Sequence, residues 1–397
     1  MEPTDSTVID ALNEEVFDSS YEINSWDDLD LNPKLLRGIF AYGFEKPSPI
    51  QKKAILPMNS GRDIIAQAQS GTGKTGCFSI GTLMRIDVTK ETTQAIILSP
   101  THELTYQTKN VIDSIGSFMK NLTTKSLIGG VSLDNDIKYF KYNTPHIVLG
   151  CPGRIHDMLK RRRIDIQNVK LLVIDEADEL LSNDFKSQIY NIFQHMPNDI
   201  QVALFSATLP TDLVNITSKF MRNPVEILVK SEQLTLEGIK QYYIALDKDD
   251  DKYFTLKDIY NMLTINQCII YCNSVNRVEN LYEAMTRENF PVCRIHSKMS
   301  KEERKENYDS FKLGSQRVLI SSDITARGVD IQQVSVVINF DIPNDVHIYL
   351  HRIGRSGRWG RKGTGINFVT KRDVTKLQAI EEYYSTEIME MPINVNI

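Results

Sequence analysis

Short, continuous apolar runs alternating with amphipathic stretches constrain this chain more than any other feature. The runs DIIAQA (63–68), QAIILSP (94–100), HIVLG (146–150), KLLVIDE (170–176) and VALFSAT (202–208) are rich in β-branched residues. Helical patterns such as Leu104–Phe118 and Phe185–Gln194 fill the gaps. A strand that is apolar on both faces must be covered on both, so the pattern predicts a parallel sheet between helical layers. The rhythm pauses at VKSEQLTLEGIK (229–240). It resumes with QCIIYC (267–272), Val292–His296, RVLISSD (317–323), VSVVINFD (334–341) and TGINFVT (364–370). The expected fold class is therefore α/β, with two parallel-sheet halves joined by a short linker. Ligands of such sheets bind beyond the carboxyl ends of the strands, and the chemically distinctive residues fall there.

Charge has to be subdivided before it is informative. The net charge is −5, but residues 1–33 hold ten acids and no Lys or Arg. Without them, 46 basic residues face 41 acidic ones. An acidic leader (1–25) thus masks a mildly basic body, which can bind phosphate backbones where its charges gather in a cleft. The five cysteines, Cys77, Cys151, Cys268, Cys272 and Cys293, are odd in number and irregularly spaced, which speaks against a disulfide framework and fits a reducing compartment. No apolar stretch is long enough for a membrane span, and the N-terminus has neither a signal-peptide pattern nor a transit-peptide pattern.

The run DIIAQA leads into Gln69-Ser70-Gly71-Thr72-Gly73-Lys74-Thr75 and then a helical stretch. Gly71 and Gly73 let backbone N–H groups turn inward around a triphosphate. Lys74 neutralises its outer oxygens, and Thr75 can ligate Mg²⁺. About a hundred residues on, an apolar strand ends in Asp175-Glu176-Ala177-Asp178. Such a strand delivers carboxylates to its exposed tip: Asp175 to hold Mg²⁺, largely through water, and Glu176 to orient or deprotonate the attacking water. Together the two motifs predict a nucleoside triphosphatase.

With these residues in order, the chain resembles the DEAD-box RNA helicases from about Trp26 onward, within them most closely the translation initiation factor 4A subfamily. GFEKPSPIQ (43–51) resembles the Q motif, with Trp26 as its isolated upstream aromatic. AQSGTGKT (68–75) resembles motif I, although Ala68 stands where Gly is usual. PTHELT (100–105), Gly129-Gly130 and CPGR (151–154) resemble the RNA-contacting motifs. Ser206-Ala207-Thr208, YCNS (271–274), SSDITARGVD (321–330) and HRIGRSGRWGRKG (351–363) resemble motifs III to VI.

The resemblance implies two tandem RecA-like domains, at 26–230 and 242–397, joined by a linker at 231–241. ATP would be bound by Phe44, Lys46, Gln51, Ser70, Gly71, Thr72, Gly73, Lys74, Thr75 and Asp323. The Gln51 amide, with one donor and one acceptor side, suits adenine rather than guanine. Catalysis would fall to Lys74, Asp175 and Glu176, with Arg355 and Arg358 as arginine fingers from the half that lacks the phosphate loop. RNA would meet Pro100, Thr101, Gly130, Arg154, Asn273, Arg304, Thr325 and Gly328, which suit phosphates and 2′-OH groups rather than bases. Asp178, Ser206, Thr208, His351 and Arg352 would couple the two ligands.

By the same resemblance the partners are sequence-independent RNA and a scaffold protein of the initiation factor 4G type. The chain is expected to be monomeric and cytoplasmic, with the nucleus as the alternative. Two roles within the family stay open beside initiation: ribosome biogenesis, and an ATP-locked RNA clamp of the exon-junction type. The sequence departs from the family on the RNA side. His102 replaces Arg, Thr105 replaces Ala, and Cys151 replaces Thr. His296-Ser297-Lys298 stands for the His-Gly-Asp segment, and Lys301 for Gln. These departures predict intact ATP chemistry with altered RNA affinity, and His102 would give RNA binding a mild pH dependence.

Overall fold

The computed structural model describes residues 22–68, 71–181, 185–209, 217, 220–227, 239–262, 267–323, 334–356 and 363–392. Of the expected site residues, Ser70, Thr325, Gly328 and Arg358 lie outside them, as do residues 1–21 of the leader and 231–238 of the linker.

Two seven-stranded sheets, parallel at every pairing, carry the chain. The first comprises β1 (Ile64–Gln67), β2 (Ala95–Leu98), β3 (Thr124–Leu127), β4 (Ile147–Gly150), β5 (Leu171–Asp175), β6 (Gln201–Ser206) and β7 (Val225–Ile227). Their spatial order is β3-β4-β2-β5-β6-β1-β7. The second comprises β8 (Ile239–Leu246), β9 (Cys268–Tyr271), β10 (Val292–Ile295), β11 (Val318–Ser321), β12 (Val336–Asn339), β13 (Gly363–Thr370) and β14 (Met389–Glu390). Its order, β10-β11-β9-β12-β13-β8-β14, repeats the first when each half is counted from its own first strand. The two halves are thus one topology used twice, the tandem RecA-like architecture expected from the sequence.

Each sheet has an apolar core on both faces. On one side of the first sheet Phe78, Ile97, Val173 and Phe205 pack together, on the other Ile96, Val148, Ile174 and Leu204. The second sheet divides in the same way, with Ile269 and Val337 on one face and Ile270 and Ile338 on the other. Four strands lacked a clear signal. β3, β7 and β14 are short edge strands with partly polar residues, and burying only part of such a strand leaves no continuous apolar run. β8 begins at Ile239, so residues 239–241, read as linker, are strand. At the other end, Ile23, read as leader, is buried, and its N–H donates to Lys52 O at 3.0 Å.

Candidate functional site

The phosphate loop leaves β1 between β6 and β7. It enters the Lys74–Arg85 helix through Gly73, whose φ of +103° only glycine adopts without strain. The helix N-terminus therefore presents unpaired N–H groups and a positive partial charge to whatever occupies the loop. Lys74 is buried, and its Nζ donates to Ala68 O at 2.7 Å.

The Q-motif segment packs directly on this loop. Trp26 is buried, and its indole N–H donates to Phe44 O at 2.9 Å, so the upstream aromatic fixes the backbone of the segment. A Cβ on Gly76 would lie 2.7 Å from Phe44 Cε2 and 2.8 Å from Gln51 Nε2, so a side chain there would displace the Phe44 ring or the Gln51 amide. Gln51 is buried and braced: Oε1 accepts from Ser48 N–H at 2.8 Å and Nε2 donates to Gly73 O at 3.2 Å. The sequence reading missed this second task. One amide proton and one lone pair remain for a ligand. Lys46 is exposed and Thr75 half-buried at the same end of the domain.

At the tip of β5 the backbone turns sharply. Glu176 has φ +49°, in the left-handed region, and starts the short Ala177–Leu180 helix. Asp175 Oδ1 accepts from Glu176 N–H at 3.0 Å. Burial first, and then the adjacent Glu176 carboxylate, push the Asp175 carboxyl well above the usual carboxylate range, with Lys74 opposing. Glu176 Oε2 is buried and has no hydrogen-bond partner among the described residues. Two crowded carboxylates with an unsatisfied oxygen are a donor set that a hard divalent cation and its waters would satisfy.

Asp178 joins the halves. Its N–H donates to Ser206 Oγ at 3.2 Å, and its Oδ2 accepts from Thr208 Oγ1 at 2.7 Å and meets His351 Nε2 at 2.9 Å. His351 is fully buried. Glu176, Asp178 and His351 place ligand atoms within 4.8 Å of one another. Because Asp178 Oδ2 is already shared by Thr208 and His351, the grouping works here as a cross-cleft link. A second link joins Arg304 Nη1 to Glu103 Oε1 at 3.3 Å.

On the second-domain side, Arg355 is buried at the end of the Val346–Ile353 helix. Arg352 is fully buried and directs its guanidinium to Asp323 Oδ1 (2.6 Å), Asp341 O (2.8 Å), Asn339 Oδ1 (3.2 Å) and Asn273 Oδ1 (2.8 Å). So Asn273, expected at RNA, holds Arg352 with its oxygen and Ile342 O with its amide (2.8 Å), and keeps one amide proton for a ligand.

The first-domain residues expected at RNA are placed as follows. Thr101 caps the His102–Ile115 helix, its Oγ1 accepting from Leu104 N–H at 3.2 Å. Pro100 is buried just before it. Gly130 is exposed, with φ +68°. Arg154 is pinned by a close pair with Asp136 and by Val131 O at 2.7 Å, which fixes it beside the Gly129-Gly130 turn. Two of the departures from the family pattern, Thr105 and Cys151, lie against each other. Thr105 Oγ1 lies 3.8 Å from Cys151 Sγ, and His102 lies against Gly129. Cys151 starts the Pro152–Lys160 helix without a side-chain cap bond. His296 is buried in a close pair with Glu279, and Lys298 is exposed.

Comparison with known proteins follows the same division. The DEAD/DEAH box helicase family profile matches residues 48–216, and the helicase conserved C-terminal domain matches 251–360. The chain is 49% identical over 389 residues to the ATP-dependent RNA helicase eIF4A of Scheffersomyces stipitis, covering 98% of both chains. It is 52% identical over 373 residues to the ATP-dependent RNA helicase fal1 of Schizosaccharomyces pombe, covering 94% of both. Among solved structures, S. cerevisiae Dbp5 bound to RNA and ADP BeF3 superimposes with a TM-score of 0.87 at 35% identity, over 93% of this chain and 95% of that one.

Proposed function

Since the chain belongs to the DEAD/DEAH box helicase family, we propose that it is an ATP-dependent RNA helicase of the translation initiation factor 4A type, coupling ATP hydrolysis to local, sequence-independent unwinding of RNA duplexes. The observation that carries the reading is the Asp178 junction. The carboxylate that ends the DEAD tetrapeptide is hydrogen-bonded both to the Ser206-Ala207-Thr208 segment and to His351 of the other half. Closing the cleft therefore completes the hydrolytic site and the RNA rim together.

In this mechanism Gly71, Thr72, Gly73 and Lys74 cradle the phosphates, with Ser70 carried over from the family. Gln51, Phe44 and Lys46 hold the adenine, and Asp323 the ribose side. Glu176 takes the proton of the attacking water, and Arg355 and Arg358 face the charge that develops on the γ-phosphate. Mg²⁺ held by Thr75 and Asp175 through water would neutralise phosphate charge. RNA runs along Pro100, Thr101, Gly130 and Arg154 in one half and Asn273, Arg304, Thr325 and Gly328 in the other. A scaffold of the initiation factor 4G type would favour the closed pairing, and a monomer acting in the cytoplasm is the working assignment.

The test is steady-state phosphate release with and without single-stranded RNA, beside duplex unwinding, for the wild type and the Glu176→Gln and Arg358→Ala variants. RNA-stimulated turnover lost in both variants supports the motor. ATP binding without any stimulation by RNA refutes it.

A further inference from the structure

A line of buried polar side chains crosses the second sheet and ends on Arg352. Each link has a defined direction. Arg352 Nη1 donates to Asn339 Oδ1 (3.2 Å), and Asn339 Nδ2 donates to Asn367 Oδ1 (2.8 Å). Asn367 Nδ2 donates both to Tyr349 Oη (3.2 Å) and to Tyr242 O (2.9 Å). Tyr349 Oη donates to Gln241 Oε1 (2.8 Å), and Gln241 Nε2 donates to Thr386 Oγ1 (3.1 Å). Asn339 and Asn367 are directly opposite on β12 and β13, and Gln241 lies one strand further, on β8. Asn339, Asn367 and Tyr349 are fully buried and Gln241 nearly so.

Hydrophobic residues would fill this space at lower desolvation cost, since a polar group taken from water must find a partner inside. The direction of the chain gives a reason for keeping it. Every link turns an oxygen toward Arg352 and a donor away from it, so the dipoles align in the field of one buried cation and strengthen one another. The guanidinium they fix is the one that holds Asp323, expected at the nucleotide, and Asn273, expected at the RNA.

We propose that Asn339, Asn367, Tyr349 and Gln241 are positioning residues. They lock the rotamer of Arg352, and through it set Asp323 and Asn273 at once, so that the nucleotide and RNA surfaces of the second half share one internal support anchored on the strand next to the linker. The inference rests on the helicase reading for the identity of the two ligands.

The experiment uses the full chain and equilibrium affinities, which need no turnover. Binding of a fluorescent ADP and of a labelled oligouridylate in the presence of a non-hydrolysable ATP analogue is measured for Asn339→Leu, Asn367→Leu, Asn339→Asp and Tyr349→Phe. Ile338→Ala, on the opposite face of β12, serves as a control of comparable thermal destabilisation. The expected result is that the two Leu variants weaken both affinities together, by three- to tenfold. Asn339→Asp, which keeps an oxygen toward Arg352, recovers part of the loss, and Ile338→Ala changes neither affinity. Tyr349→Phe keeps the volume and cuts the chain further out, so it weakens both by about two- to threefold even where a Leu variant fails to fold. Unchanged affinities in folded variants, a change confined to one ligand, or an equal loss in Ile338→Ala would each overturn the proposal. Absence of RNA-stimulated turnover in the wild type would instead count against the helicase reading and leave these affinities measurable.

Discussion

Glu176 occupies a backbone region that non-glycine residues seldom visit, with φ +49°, at the turn where β5 gives way to a helix. Such a conformation persists where the surroundings impose it, and here it sets a buried carboxylate oxygen at the strand tip. Replacing Glu176 by Gln keeps shape and removes the base. RNA-stimulated phosphate release should fall by ~10²–10³-fold while nucleotide affinity holds, as read by single-turnover kinetics and equilibrium binding. The cysteines give a second residue-scale prediction. Burial pushes the thiols of Cys268 and Cys293 up to about 12 and those of Cys77 and Cys272 higher still, whereas Cys151 is only half-buried. Alkylation needs the thiolate. At pH 8 the native protein should therefore react rapidly at Cys151 alone, and all five thiols should react after denaturation. With folded-state values raised, these thiols favour folding fully below their unfolded value near 8.5, and that contribution fades as pH climbs toward 12. A thermal midpoint that stays flat from pH 8 to 10.5 would contradict this.

At the scale of elements, the buried strands were legible because nothing but a two-sided sheet accommodates runs such as Leu171–Ile174. The strands β3, β7 and β14 were not, because they are short and partly polar and leave no continuous apolar run. The site divides in the same way. Lys74, Asp175 and Glu176 could be located because a strand end and a helix start fix them locally. The bracing role of Gln51, the capture of Asn273 by Arg352 and the polar chain behind it depend on which strands lie side by side, and no local pattern encodes that. The brace itself is testable. Gly76→Ala would put a methyl 2.7 Å from Phe44 Cε2 and 2.8 Å from Gln51 Nε2, moving the Q segment off the phosphate loop. ATP affinity should drop by about tenfold or more. Trp26→Phe, which loses the bond to Phe44 O, should cost roughly 1 kcal/mol of stability and weaken ATP binding less. Calorimetry of both variants separates the two effects.

For the whole molecule, two cross-cleft links among the described residues join the halves. The Asp178–His351 contact is almost fully buried, while the Arg304–Glu103 pair remains partly open to solvent. A partly exposed charge pair is worth about 0.2–1 kcal/mol, whereas removing one partner of a buried hydrogen bond leaves the other unsatisfied and costs more, about 1–3 kcal/mol. Interdomain fluorescence transfer should therefore show Glu103→Gln lowering the ligand-bound closed fraction slightly and Asp178→Asn lowering it strongly, with RNA stimulation of ATPase falling in the same order. Equal effects would argue against Asp178 as the principal junction.

The repeated strand order of the two sheets has a consequence for how strongly anything must hold them together. Two self-contained halves on one short tether behave like a pair of proteins, each held near the other at an effective concentration of about millimolar. An association too weak to persist between separate chains can then be populated, and small inputs can shift it. Neither ligand has to clamp the halves shut alone. Each adds to an association that the tether already favours, and because no single contact has to be strong, the halves can part again after every cycle.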